Sequence, residues 1–128
     1  MTSHPSERRR APRAKASFPV QLNLRAEAAP ATLKDISSNG LCCRFHEPIR
    51  EMTLVHMDLR LPGTGSAHGV DGVVVRCDKL RGESPPAYEV AVYFTGIAPE
   101  ARAAIHGFVT TQLAAGPLQA GAERRPNK

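Results

Sequence analysis

Hydrophobic and polar residues alternate through most of this chain. In "SFPVQLNLR", Phe18, Val20, Leu22 and Leu24 oppose Ser17, Pro19, Gln21, Asn23 and Arg25. That period of two marks a strand with one buried face. Pro19 lacks a backbone donor, so the strand needs a sheet edge or a bulge there. "EAAPA" reads as a turn, and "TLKDIS" as a second strand paired antiparallel with the first. In "LCCRFH", Leu41, Cys43 and Phe45 share the inner face, with Cys42, Arg44 and His46 outward. "TLVHMDLRL" buries Val55, Met57, Leu59 and Leu61 and turns Leu54, His56, Asp58 and Arg60 to solvent. After the turn "PGTGSA" comes the valine-rich "HGVDGVVVRCD", where Gly69 and Gly72 mark a bulge or a close backbone approach. "KLRGESPPA" is a loop and "YEVAVYF" the last strand. Six short strands between turn signals predict a mainly β fold, a small antiparallel barrel or sandwich.

The period then lengthens. "APEARAAIHGFVTTQLAA" sets Ile105, Phe108, Val109 and Leu113 on one stripe at spacings of three and four, which predicts a helix. Pro99 and Glu100 suit its first turn, and Gly116–Pro117 should end it. Gly107 in mid-helix costs roughly 1 kcal/mol relative to alanine. Such a helix would cover an open end or side of the barrel. The expected division is a basic arm over residues 1–15, disordered without a ligand, a barrel and helix over 16–115, and a disordered tail over 116–128.

Charge sharpens this picture. The formal net charge is +5. Arg8, Arg9, Arg10, Arg13 and Lys15 against Glu7 give the arm +4, and Arg124, Arg125 and Lys128 against Glu123 give the end +2. The body between them is therefore −1. A nearly neutral body argues against a broad nucleic-acid groove and favours a small anionic ligand gripped by one arm. No apolar run reaches the roughly 18–20 residues of a membrane span. No apolar segment of the signal-peptide kind follows the N-terminal charges, so the default compartment is the cytoplasm. Adjacent Cys42 and Cys43 point to opposite faces of a strand and, with Cys77, suit neither a disulfide framework nor a tetrahedral metal site. Cys42 on the outer face could be exposed and oxidisable, although nothing near it in sequence suggests a lowered pKa. His4, His46, His56, His68 and His106 are dispersed, with no metal-ligand spacing and no paired nucleophile and base. An enzyme is the least supported class.

Two stretches stand out chemically. "RRRAPR", Arg8 to Arg13, holds four arginines in six residues. Guanidinium forks bind phosphate oxygens or the O6/N7 edge of guanine in pairs, and stack on purine faces. "DISSNG", Asp35 to Gly40, follows about twenty residues later. Asp35 can accept from guanine N1–H and N2–H₂. The Ser37 hydroxyl and the amides near Asn39 and Gly40 can donate to phosphate, as backbone nests do. Gly40 offers positive φ and room for a ligand. Taken singly, each stretch reads more simply as a solvated charge run and an ordinary turn.

Together they form R-x-x-x-R, Arg9 to Arg13, followed by D-x-S-x-x-G, Asp35 to Gly40, across roughly residues 7 to 113. This pair resembles the PilZ domain, a bacterial receptor module for cyclic di-GMP. The resemblance implies a six-stranded barrel with a C-terminal helix that binds the dinucleotide at its surface, wrapped by the arm. Arg9 and Arg13 would bind phosphate and the guanine Hoogsteen edge, Asp35 and Ser37 the base and its polar surroundings, and Asn39 and Gly40 would belong to the turn. Arg8 resembles the arginine that stacks on a base in members holding two intercalated ligand molecules. The implied protein is non-catalytic, needs no metal or other cofactor, and relays the signal to a protein partner in motility or biofilm regulation. The alternatives are a scaffold acting mainly through protein contacts and a nucleic-acid-binding small barrel. Gly72 matches a glycine common in a later strand of the family, and Arg44 and Arg76 could face the site from neighbouring strands.

Overall fold

The computed structural model describes residues 12–24, 27–63 and 67–124. Among them run seven strands, β1 (Ala14–Lys15), β2 (Pro19–Leu24), β3 (Glu27–Ile36), β4 (Gly40–Phe45), β5 (Leu54–Arg60), β6 (Ala67–Lys79) and β7 (Tyr88–Gly96), and one helix, α1 (Pro99–Arg124). Neighbours follow the order β1-β3-β2-β5-β6-β7-β4, and β4 pairs back onto β3. That last pairing closes six antiparallel strands into a barrel and leaves β1 outside it, alongside the end of β3. Closure removes the sheet edges that would otherwise expose unpaired backbone groups.

The alternation seen along the chain sorts the faces as expected. Leu22, Leu33, Leu41, Cys43, Met57, Leu59, Val74 and Val90 have no exposed surface and fill the barrel. Each such aliphatic chain contributes roughly 1.5–3 kcal/mol by leaving water. Ala101, Ile105 and Val109 bring one stripe of α1 onto this core. Phe108 of the helix meets Phe18 edge to face, with ring centroids 5.8 Å apart. Leu113, expected on the same stripe, is exposed instead. Among the described residues, no helix is long and apolar enough to cross a membrane.

Three expectations change. "EAAPA" is no turn: Ala28, Ala29, Pro30 and Ala31 pair with Asn23, Leu22, Gln21 and Val20 as the first half of β3. Small residues carry little alternation signal, and β4 reaches β3 only from Thr32 onward, so the missing donor of Pro30 faces no strand on that side. The arm is likewise not free up to residue 15. Ala14 and Lys15 pair with Ile36 and Asp35, and Ala14 is buried near α1. Finally, α1 continues through Gly116 and Pro117 to Arg124. The fixed φ of proline is itself helical, and its loss of one backbone bond can be carried by helix-forming alanine, leucine and glutamine beyond it. The remaining tail, residues 125–128, and the arm through residue 11 lie outside the described residues.

Candidate functional site

Two bulges aim the site. Strict alternation from buried Leu33 would put Lys34 outward and Asp35 inward. The β3–β4 register shifts between Leu33 and Asp35, so both side chains stand outward before Ile36 returns to the core. In β6 the same happens between Val74 and Arg76, turning Val75 and Arg76 both to solvent. Bulges re-aim side chains in this way without breaking the sheet. They place Asp35 and Arg76 on one outer wall.

The register then fixes their spacing. Asp35 pairs with Cys42, Cys42 with Ala91, and Ala91 with Arg76, a single row across four strands. At roughly 4.8 Å per strand, its ends lie about 14 Å apart. The small side chains of Cys42 and Ala91 make the floor between them. The neighbouring row holds Gly40 and Tyr93. These residues surround an open hollow of about 670 Å³ that Pro12, Arg13, Ser37, Asn39 and Glu89 also line.

Arg13 arrives because β1 delivers it there. The Lys15–Asp35 register brings the arm past the end of β3, and the Arg13 Nε and Nη2 each lie 2.9 Å from Asp35 Oδ1. One carboxylate oxygen takes both contacts. The pair is partly solvated, with Arg13 49% and Asp35 26% exposed, so it adds little to stability.

The turn after β3 is held from several sides. Ser37 N–H donates to the Gly40 carbonyl at 2.8 Å, and Phe94 N–H donates to the Asn39 carbonyl at 2.9 Å. Arg102 Nη1 of α1 donates to the Ser38 carbonyl at 2.9 Å. The Ser37 hydroxyl is buried, accepts from Asn39 N–H at 3.1 Å and faces the Gly40 carbonyl at 3.4 Å. Ser37 and the Asn39 amide, read from sequence as donors to a phosphate, thus bond each other and stiffen the corner. Gly40 does not adopt positive φ, which among the described residues occurs at Met52, Gly63 and Gly82. Its requirement is close packing: a Cβ there would sit 2.3 Å from the Val92 carbonyl oxygen.

Cys42 departs from expectation too. It faces outward yet is buried by its neighbours, and its thiol donates to Glu89 Oε2 at 3.1 Å. Burial, then this contact with a carboxylate, pushes the thiol up to about 12, so it is neither exposed nor easily ionised. The same hydrogen bond is the main cause holding Glu89 below its usual range, and Lys34 Nζ lies 3.5 Å from its other oxygen.

Of the residues singled out in the sequence, Arg13, Asp35, Ser37, Asn39 and Gly40 come together at this hollow, as does Arg76. Arg8 and Arg9 lie outside the described residues. Arg44 does not join; it pairs with Glu83 beside a different hollow. Gly72 is a packing glycine at a bulge, with Val92 Cγ1 2.5 Å from where a Cβ would be. Glu89, Ala91, Tyr93 and Val75 were not legible as site residues, because only the register and the bulges bring them there. Among the described residues, no group of three or more histidine, cysteine, aspartate or glutamate side chains could hold a metal ion.

Fold and hollow define a class: a small closed barrel with a C-terminal helix packed onto its core, presenting a cation, a carboxylate and a stiff turn on its outer wall. The sequence then identifies the family. The PilZ domain profile matches residues 7–111, and the chain belongs to that family. No curated protein matches it. Among solved structures it is similar to the "PilZ domain with c-di-GMP of YcgR from Escherichia coli", at 15% identity and a TM-score of 0.71, covering 90% of this chain and 98% of that one. It is also similar to the Bacillus subtilis inhibitor of motility MotI/DgrA, at 16% identity and a TM-score of 0.71, covering 81% of this chain and 50% of that one. The K. pneumonia MrkH–c-di-GMP complex is similar at 18% identity and a TM-score of 0.64, covering 90% of this chain and 55% of that one. The chain thus spans about half the length of MotI/DgrA and MrkH. At these identities the likeness concerns the fold.

Proposed function

We propose that this protein is a non-catalytic cytoplasmic receptor for cyclic di-GMP, taken up on the outer wall between the arm and the turn after β3. The observation that carries the reading is the meeting of Arg13 and Asp35 over a small-residue floor, in a chain of the PilZ family. The YcgR and MrkH structures that resemble it are described with that ligand.

The chemistry assigns roles. Asp35 accepts from the guanine Watson–Crick edge, and Arg13, half exposed, exchanges its carboxylate contact for a phosphate or the Hoogsteen edge. Arg9 serves the same anion from the arm. Arg8 stacks on a base and allows a second, intercalated molecule. Ser37, Asn39 and Gly40 hold the shape of the corner. Charge-assisted hydrogen bonds of roughly 1.5–3 kcal/mol each supply the affinity. The occupied arm and wall then form a surface that a protein partner reads. Calorimetry of the full chain with cyclic di-GMP, against GMP and cyclic di-AMP, tests the proposal. Saturable heat with cyclic di-GMP and much weaker binding of the other two is expected; no heat with any of them would overturn it.

A further inference from the structure

We propose that Tyr93 is a stacking platform for a purine base, forming the wall of the hollow at one corner of its floor. The inference rests on the cyclic di-GMP reading of the same site and adds a residue to it.

Tyr93 is 55% exposed, one of few large hydrophobic side chains left so among the described residues. It lies on β7 with Gly40 as its direct partner on β4. A glycine there leaves no side chain to cover the ring on that side. On the other side its partner is Val73 of β6, and the exposed Val75 lines the same hollow. Among the described residues the ring meets no other aromatic ring and its hydroxyl makes no hydrogen bond. A tyrosine offers a broad apolar π-face beside a hydroxyl that water can satisfy, so an uncovered ring is free to receive another flat group. Here the adjacent floor, Cys42 and Ala91, is low enough for a planar group to approach the ring.

Stacking divides the labour of recognition. A π-face accepts any base, so Tyr93 sets affinity, while Asp35, through hydrogen bonds to the base edge, sets identity. Removing Tyr93 should therefore weaken cyclic di-GMP and cyclic di-AMP by similar factors.

The chain contains no tryptophan and two tyrosines, Tyr88 and Tyr93, which makes the test direct. In Tyr88→Phe the emission comes from Tyr93 alone, and contact with guanine quenches it. In Tyr93→Phe it comes from Tyr88, which packs against the core and controls for absorption by the nucleotide. The expected results are ligand-dependent quenching in Tyr88→Phe and none beyond absorption in Tyr93→Phe. By calorimetry, Tyr93→Ala should bind cyclic di-GMP at least tenfold more weakly, and Tyr93→Phe should bind as the wild type does. Unchanged melting of Tyr93→Ala, whose side chain lies outside the core, would confirm an intact fold. Wild-type affinity in Tyr93→Ala without quenching would overturn the inference while leaving the receptor reading intact. Absence of any heat with the wild type would remove the reading and the inference together.

Discussion

At the residue scale, Arg13 and Asp35 carry the site, and they interact with each other before any ligand is considered. Loss of one charged hydrogen bond of roughly 1.5–3 kcal/mol corresponds to about tenfold or more in affinity. Arg13→Ala and Asp35→Ala should each weaken cyclic di-GMP by that factor in calorimetric titrations. Because the two side chains share a partner, the double variant should lose less than the product of the single losses. Both variants should melt like the wild type, since a partly solvated pair is worth about 0–1 kcal/mol.

His56 offers a prediction away from the site. Its Nδ1 lies 2.7 Å from Asp71 Oδ1, and that hydrogen bond, with Asp58 nearby, raises its pKa above 6.5. A raised folded pKa means the unfolded chain binds fewer protons in that window. The contribution is therefore complete below about pH 6.5 and fades as pH climbs through the folded value. The melting-temperature difference between wild type and His56→Gln should be larger near pH 6 than near pH 9. An equal difference at both would contradict the pairing.

At the element scale, the β4–β7 contact decides whether the floor exists. Gly40 approaches the Val92 carbonyl so closely that a methyl group would have to force the strands apart. Overpacking of this kind costs about 1–3 kcal/mol. Gly40→Ala should lower stability by that amount in denaturant melts and weaken ligand binding besides, because the turn beside it moves.

This scale also explains what the sequence could reveal. Alternation located the cores of β2, β4 and β5, because each has one wet and one dry face, while a valine-rich run and the turn signals around it located β6 and β7. It missed the first half of β3, where Ala28, Ala29 and Pro30 offer no contrast, and β1, which is two residues long. It could not show that Asp35 and Arg76 face the same way, because bulges interrupt the period at both places. Motif spacing found Arg13, Asp35 and the corner. Tyr93, Ala91 and Glu89 needed the register, which is set by long-range pairing and closure rather than by local pattern.

At the scale of the whole molecule, the charge of the ends contrasts with a nearly neutral body. Attraction between a basic arm and an anionic ligand is screened with a Debye length of about 10 Å at 0.1 M salt. Affinity for cyclic di-GMP should therefore fall as salt rises from low to near-molar concentration, as titrations at several salt concentrations would show. Affinity independent of salt would leave the arm without its assigned part.

The location of the ligand is the central claim, and amide shift mapping of the labelled full chain reads it out directly. Titration with cyclic di-GMP should move Arg13, Asp35 through Cys42, and Glu89 through Tyr93, while the wall around His56 and the hollow beside the Arg44–Glu83 pair stay still. Shifts centred on those latter surfaces, or none at saturating ligand, would contradict the account.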